Sequence, residues 1–264
     1  MSISNALSLL SFFGAISGLI RSAVTQAGNY LAWFACYVPT PSGLPAMAKI
    51  SSEVLHVSLG LFVAFAAVEI AASLRQGTLA SSIGDSAISL FAQVFGFQVY
   101  SLSASSAYSI SSYLLNQNVY GMPPSQMLAQ ESLILASLPV LQDVFGLVLL
   151  EYAIMESFRM LVTAALACSI PLISSLWLFP PTRRAATGIY EGLVMLVLVS
   201  PLSAIMLTLG VSSFASALKG GNPFLCFAVG AGTLFGLSTL PPVLLRGGVS
   251  ALQTSREALH RRKS

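Results

Sequence analysis

Five runs of this 264-residue sequence contain no charged side chain, and each is long enough to cross a lipid bilayer. They cover residues 22–48, 86–130, 160–182, 192–218 and 220–245. A helix needs about 20 mostly apolar residues to cross a hydrocarbon core about 30 Å thick. A charge at the centre of such a helix costs about 3 kcal/mol. The runs therefore predict an all-α, polytopic transmembrane helical bundle rather than a soluble domain.

The composition fits a single membrane domain over residues 1–264, because 55% of the residues are hydrophobic and only 8% are charged. About six membrane spans are predicted, near 22–38, 54–73, 87–113, 153–179, 188–215 and 223–245. The apolar segment 1–20 is predicted as an N-terminal interfacial helix, and it becomes a seventh span if it crosses. Pro171 and Pro201 lie inside predicted spans and should kink them.

Residues 116–151 are predicted as a loop and a helix on the outer face of the membrane. The stretch 131–150 is long and apolar enough to cross, but it contains Pro139 and Asp143 and is bracketed by Glu131 and Glu151. We interpret it as a surface or re-entrant helix, because a crossing there would place the basic loops on alternating sides.

Basic residues set the orientation, since short loops rich in Lys and Arg stay in the cytoplasm. With six spans, only Lys49 and Lys219 fall on the outer side. Nine basic residues fall on the other side: Arg21, Arg75, Arg183, Arg184, Arg246, Arg256, Arg261, Arg262 and Lys263. The sequence thus predicts a multi-pass protein of the cell membrane with both termini in the cytoplasm. Its basic tail, 246–264, suits anionic lipid headgroups or a cytoplasmic partner.

Four polar residues of the fourth predicted span lie on one helical face, because their spacing is i, i+4, i+7 and i+11. They are Tyr152, Glu156, Arg159 and Thr163. Charges inside a membrane usually face a bundle interior or water. Two interpretations stay open: the stripe lines a conduit, or Glu156 and Arg159 neutralise each other near the outer interface and fix helix packing.

The serine-rich segment 101–112 favours close helix packing, with a wet surface facing a channel as the alternative. Cys36, Cys168 and Cys226 lie far apart in apolar runs and are predicted to be packing residues. No phosphate-binding loop, nucleophile elbow or zinc-protease motif occurs in the sequence. An enzyme, a cofactor and a metal site are therefore not expected.

The segment from Pro171 to Arg184 reads PLISSLWLFPPTRR, and it runs into Gly188-Ile-Tyr190 and a further span. It resembles the TrbL-like family, the polytopic inner-membrane components of conjugative type IV secretion machines. In that family a proline-bearing span ends in a Phe/Leu-Pro-x-Thr-Arg turn before an aromatic-containing lead-in to the next span. The resemblance covers residues 152–217, and the short length is most similar to the archaeal DNA-import members of that group.

The resemblance implies a membrane conduit component of a DNA-translocation machine, acting in DNA import or conjugation. Its implied partners are a separate hexameric ATPase, small membrane subunits, DNA in transit and further subunits of a homo- or hetero-oligomer. Pro180 and Thr182 would form the cytoplasmic turn, and Arg183 and Arg184 would contact the ATPase or DNA phosphates. The interior departs from a DNA-binding surface, since Arg159 alone would give it positive charge.

Three other hypotheses remain open. The first is an ion-coupled transporter or proton-path subunit that uses Glu156 and Arg159, although the sequence shows no repeat between its halves. The second is the export-gate subunit of a type III secretion apparatus, which is similar in size and also multi-span. The third is a structural subunit of a larger membrane complex.

Overall fold

The structure is a computed structural model that describes residues 33–116 and 139–261, and all regular structure in these ranges is helical. The described helices are α1 (Ala46–Gln76), α2 (Leu79–Asn116), α3 (Pro139–Cys168), α4 (Ile170–Leu178), α5 (Pro180–Lys219) and α6 (Pro223–Arg261), besides a helical stretch at 33–36. The all-α prediction is thus confirmed. The predicted helix 1–20, most of the span at 22–38 and residues 117–138 of the outer segment lie outside the described residues.

Four described helices are long and apolar enough to cross a membrane: α1, α2, α5 over Pro180–Ala217 and α6 over Phe224–Val243. They coincide with four of the predicted spans. The helices α3 and α4 pass the same test only as a pair, and they are bent by 56° at Ser169. The fifth described candidate is therefore a broken span or a re-entrant loop, at the position predicted for the span 153–179.

The break between α3 and α4 has a local cause. Pro171 has no N–H to donate, and in a regular helix its ring would clash with a carbonyl of the preceding turn. The last N–H before the break, that of Ser169, is shared between the carbonyls of Ala165 and Leu166, at 3.1 Å each. The predicted kink at Pro171 is confirmed. In contrast, α5 remains one helix through Pro201.

Two boundaries differ from the sequence-based assignment. Residues 139–151, assigned there to the outer-face segment, are the first turns of α3, which continues without interruption to Cys168. Pro139 is compatible with this start, because proline suits the first position of a helix. At the other end of the chain, α6 continues past Pro241 and Pro242 to Arg261, so residues 246–261 of the predicted tail are helical.

The chain forms two compact units, and α2, α3, α5 and α6 each give a segment to both. The first unit comprises residues 1–37, 109–158 and 200–240. Its apolar core is built from α3, α5 and α6, and includes Phe145, Leu149, Tyr152, Leu207, Phe214, Leu234 and Leu237. Within it, the Ser111 and Ser200 hydroxyls are 2.9 Å apart, and Ser200 donates to the Cys36 carbonyl.

The second unit comprises residues 38–108, 159–199 and 241–264. Its core joins α1, α2, α4, α5 and the end of α3, and includes Met47, Tyr100, Ala104, Cys168, Ile170, Leu193 and Val197. The Tyr100 hydroxyl donates to the Pro39 carbonyl at 2.6 Å, which ties α2 to the segment before α1. Helix α4 is largely buried in this unit, where α1 lies along it.

Candidate functional site

The four residues of the predicted stripe on α3 share one face and are all buried. Tyr152, Glu156, Arg159 and Thr163 are each at most 2% exposed. Thr163 donates through Oγ1 to the Arg159 carbonyl at 2.7 Å. The first two side chains belong to the first unit and the last two to the second. The spacing argument is therefore right about the common face.

Burial has a consequence for Glu156 and Arg159. Ionisable side chains inside membrane segments are expensive, and where they occur they usually mark ion or substrate paths or fix helix packing. At this degree of burial the two side chains contact protein in the single chain. Conduit lining by this stripe stays a prediction.

The predicted cytoplasmic turn between α4 and α5 is shorter than a loop, because a single residue separates the two helices. Helix α4 ends at Leu178, Phe179 is extended with φ −82° and ψ 117°, and α5 begins at Pro180. Arg183 and Arg184 therefore lie in the first turns of α5, whereas the sequence analysis placed them in a loop. Proline starts a helix well because its fixed φ is helical and its missing N–H would have no intrahelical partner there.

Thr182 closes this turn by satisfying the free carbonyls at the end of α4. Its hydroxyl donates to the carbonyls of Leu176, at 2.5 Å, and Phe179, at 3.1 Å. The backbone N–H groups of Thr182 and Arg183 both donate to the Phe179 carbonyl at 3.0 Å. The ring of Phe179 also stacks on Phe65 of α1, with 5.0 Å between centroids. Carbonyls that a helix end leaves without partners are thus bonded.

Arg183 holds the turn against two other elements. Its Nε donates to the Trp177 carbonyl at 3.3 Å, and its Cζ lies 4.2 Å from the centroid of the Trp177 ring. Its Nη2 pairs with the Asp85 carboxylate of α2. A cation at a helix N-terminus is unfavourable to the helix dipole, and the Asp85 charge offsets it. Arg184, in contrast, is exposed.

A buried hydrogen-bond node centred on Gln93 also joins three helices of the second unit. The Gln93 amide nitrogen donates to the hydroxyls of Ser58 on α1 and Ser175 on α4, at 2.8 Å each. Ser175 in turn bonds the Ser58 carbonyl at 3.0 Å. Nearby, Ser89 of α2 donates to the Ser174 carbonyl at 2.6 Å. These contacts attach the middle of α4 to α1 and α2.

The start of α4 is fixed by close packing. A Cβ atom added to Gly96 of α2 would lie 2.6 Å from Cγ2 of Ile170, nearer than real Cβ atoms approach a neighbour. Only glycine lets the Ile170 side chain come this close to the α2 backbone without a shift. Helix α4 is therefore held at its start by Gly96, in its middle by Gln93 and at its end by Arg183.

The sequence analysis missed Asp85, Gln93 and Gly96 as partners of α4. For Gln93 a signal existed, since an amide inside a long uncharged run needs a hydrogen-bond partner. For Asp85 the sequence gives no indication of its partner 98 residues away. Within the described residues, no group of three His, Cys, Asp or Glu side chains could hold a metal ion.

Comparison with known proteins gives no relative: no family model, curated protein or solved structure matches this chain.

Proposed function

We propose that this chain is a membrane conduit component of a DNA-translocation machine, resembling the TrbL-like proteins and the archaeal DNA-import protein CedA. The observation that supports this most is the anchored turn between α4 and α5. It falls in the segment that resembles that family, and it would work beside a separate hexameric ATPase and small membrane subunits.

Each residue on which the resemblance depends has a structural role. This favours a motif of the TrbL-like family over a simple stop signal after an apolar helix. Pro171 interrupts the broken span, and Pro180 starts the next helix. Thr182 bonds the end of α4, and Arg183 joins Trp177 to Asp85. A turn with these contacts is suited to transmit a movement of the cytoplasmic ATPase to α4 and α5.

The charge pattern of the second unit supports a cytoplasmic location for this turn. Arg75 lies in the last turn of α1, and Asp85 lies near the start of α2. Arg183, near the start of α5, contacts Asp85. Arg75, Arg183 and Arg184 thus lie toward one end of this unit. The positive-inside rule favours the cytoplasm for that end. We infer from it a protein of the plasma membrane with both termini inside.

The experiment that tests the proposal compares DNA transfer with solute uptake. Deletion of the chain should abolish DNA transfer into or out of the cell and leave solute uptake unchanged. The complex isolated from mild detergent should contain a hexameric secretion-type ATPase. Normal DNA transfer by the deletion strain would reject the proposal.

An ion-coupled transporter or proton-path subunit is the second candidate, favoured by the burial of Glu156 and Arg159 within a broken span. It predicts that Glu156→Gln abolishes an ion-driven uptake while DNA transfer is unaffected. The matched control is Glu191→Gln, which changes a less buried carboxylate of α5. Under the DNA-translocation proposal, Arg159→Ala impairs DNA transfer and Arg184→Ala leaves folding unchanged.

A further inference from the structure

A cavity of about 190 Å³, open on one side, lies between α2, α4 and α5 in the second unit. Its lining residues come from all three helices: Ile88, Ser89, Ala92, Ser174, Trp177 and Tyr190. The hydroxyl groups among them bond to protein. Ser89 donates to the Ser174 carbonyl at 2.6 Å, and the Ser174 hydroxyl donates to the Ile170 carbonyl at 2.8 Å. The Tyr190 hydroxyl bonds that of Ser174, so the walls of the cavity are apolar.

An apolar cavity of this size favours hydrocarbon over water. One of roughly 150 Å³ in another protein stays dry and binds benzene, because water finds no hydrogen-bond partner there. The surface beside the cavity is also apolar. Ile88, which lines it from α2, is 59% exposed, and Val194, one turn beyond Tyr190 on α5, is 56% exposed. Such side chains suit the acyl chains that surround a membrane span.

One end of the cavity is marked by charged side chains. On α2, Asp85 lies about one turn before Ile88, and its carboxylate pairs with Arg183 of α5. The guanidinium of Arg183 covers the ring of Trp177, which lines the cavity. The Arg183 side chain is itself partly exposed, and Arg184, the next residue, is exposed. Arg184 therefore adds a positive charge beside an ion pair that is neutral as a whole.

These charges place the cavity at a definite depth in the membrane. Both α2 and α5 are long and apolar enough to cross, and charged groups at the ends of such helices lie at the level of the lipid headgroups. Trp177 beside them is typical of that level. At 1.5 Å per residue, Ala92 lies only about 10 Å beyond Asp85 along α2. The cavity is thus in the hydrocarbon directly beneath the headgroups.

We propose that this cavity and the arginines beside it bind one anionic phospholipid. Part of an acyl chain fills the cavity, and the phosphate of the headgroup binds Arg184 and the exposed part of Arg183. The guanidinium group suits a phosphate because its planar fork of N–H donors matches the phosphate oxygens. The lipid satisfies both halves of the site, the apolar cavity and the positive charge at its end. This inference depends on the membrane location of the chain and not on the proposed DNA translocation.

Fluorescence of Trp177 tests the site directly, because the chain has only two tryptophans and Trp33→Phe leaves Trp177 as the single one. The full-length variant is reconstituted into phosphatidylcholine vesicles. A minor fraction of the lipid is either phosphatidylglycerol or phosphatidylcholine with brominated acyl chains, which quench tryptophan on contact. Brominated phosphatidylglycerol should quench Trp177 at least twofold more than brominated phosphatidylcholine at the same fraction, because the site selects the anionic lipid.

Variants of each half of the site have matched controls. Ala92→Leu fills the cavity and should lower the quenching at least twofold, whereas Ala87→Leu on the exposed surface of α2 should leave it unchanged. Arg184→Gln should abolish the preference for phosphatidylglycerol. Arg75→Gln removes an exposed arginine from the last turn of α1 and should retain it.

Three results would overturn the proposal. Equal quenching by the two brominated lipids means that Trp177 meets only bulk lipid. Equal effects of Ala92→Leu and Ala87→Leu mean that no acyl chain occupies the cavity. Absence of quenching by either lipid means that a protein segment covers Trp177 instead. Arg184→Gln changes an exposed side chain, so the preference for the anionic headgroup is measurable even if Ala92→Leu does not fold.

Discussion

The guanidinium of Arg183 lies over the indole ring of Trp177, six residues earlier in the chain and across the turn from α4 to α5. The distance from Cζ to the ring centroid is 4.2 Å, and the Nε donates to the carbonyl of the same tryptophan at 3.3 Å. The Nη2 of the same guanidinium pairs with the Asp85 carboxylate. One side chain thus connects the end of α4, the start of α5 and the start of α2.

Replacing Arg183 with Ala should lower the free energy of unfolding in detergent by about 1–2 kcal/mol. A cation–π contact contributes about 0.5–2 kcal/mol, and a partly exposed ion pair adds at most about 1. The pair is discounted here because the Arg183 side chain is 39% exposed. Thermal unfolding of the purified protein measures the loss.

The matched control is Arg184→Ala, which removes the same charge from the same turn of α5 and should change stability by less than about 0.5 kcal/mol. Arg183→Lys should recover only part of the loss, because lysine keeps the charge but has no planar group to stack on the indole. Equal losses for Arg183→Ala and Arg184→Ala would show that the contact with Trp177 and Asp85 contributes nothing.

Gln93→Leu should destabilise the protein by about 1–3 kcal/mol, since it removes one partner of a buried node and leaves two serine hydroxyls without their donor. Ser103→Ala on the same helix is the control, because Ser103 is exposed and bonds only its own helix. Ser175→Ala should cost about 1 kcal/mol. The double variant should lose less than the sum of the two single losses, because both act on one node. Additive losses of unfolding free energy would mean that Gln93 and Ser175 do not interact.

The spans and the break at Pro171 could be predicted from the sequence because each depends on local properties. Uncharged length determines whether a helix can cross lipid, and a proline inside a helix removes one hydrogen bond and crowds the preceding turn. The helix is interrupted at Pro171, whereas α5 and α6 continue through Pro201, Pro241 and Pro242. The common face of Tyr152, Glu156, Arg159 and Thr163 follows from 3.6-residue periodicity alone. In each case the physical cause lies within one helical segment.

The partners of α4 could not be predicted, because they depend on which face of a helix is buried. In a soluble protein the apolar face reveals this. In a membrane span the lipid side is as apolar as the core, so residues such as Leu102 and Ala104 give no contrast. Only the fold shows that Ala104 is buried and Leu102 exposed.

The end of α5, at Lys219, and the end of α1, at Gln76, should label from opposite sides of the membrane. Helix α5 has 40 residues, so it is about 60 Å long at 1.5 Å per residue, well beyond the thickness of a bilayer. Lys219→Cys should react with an impermeant maleimide in right-side-out vesicles. Gln76→Cys, at the end of α1 near the arginine-rich turn, should react only in inverted vesicles. Reaction of Gln76→Cys from outside would reverse the proposed orientation.

Gly96→Ala should destabilise the protein by about 1–3 kcal/mol, because the new methyl group would overlap Ile170 at the start of α4 and force the two helices apart. Gly60→Ala on α1 is the control, since a Cβ there meets no atom within 4 Å. This control should be neutral or stabilising by up to about 1 kcal/mol, as alanine favours a helix over glycine. Ile170→Ala removes the Cγ2 atom that causes the overlap. The double variant, Gly96→Ala with Ile170→Ala, should therefore be more stable than the sum of the single losses predicts. Strictly additive losses in thermal unfolding would show that α2 and α4 do not meet at this point.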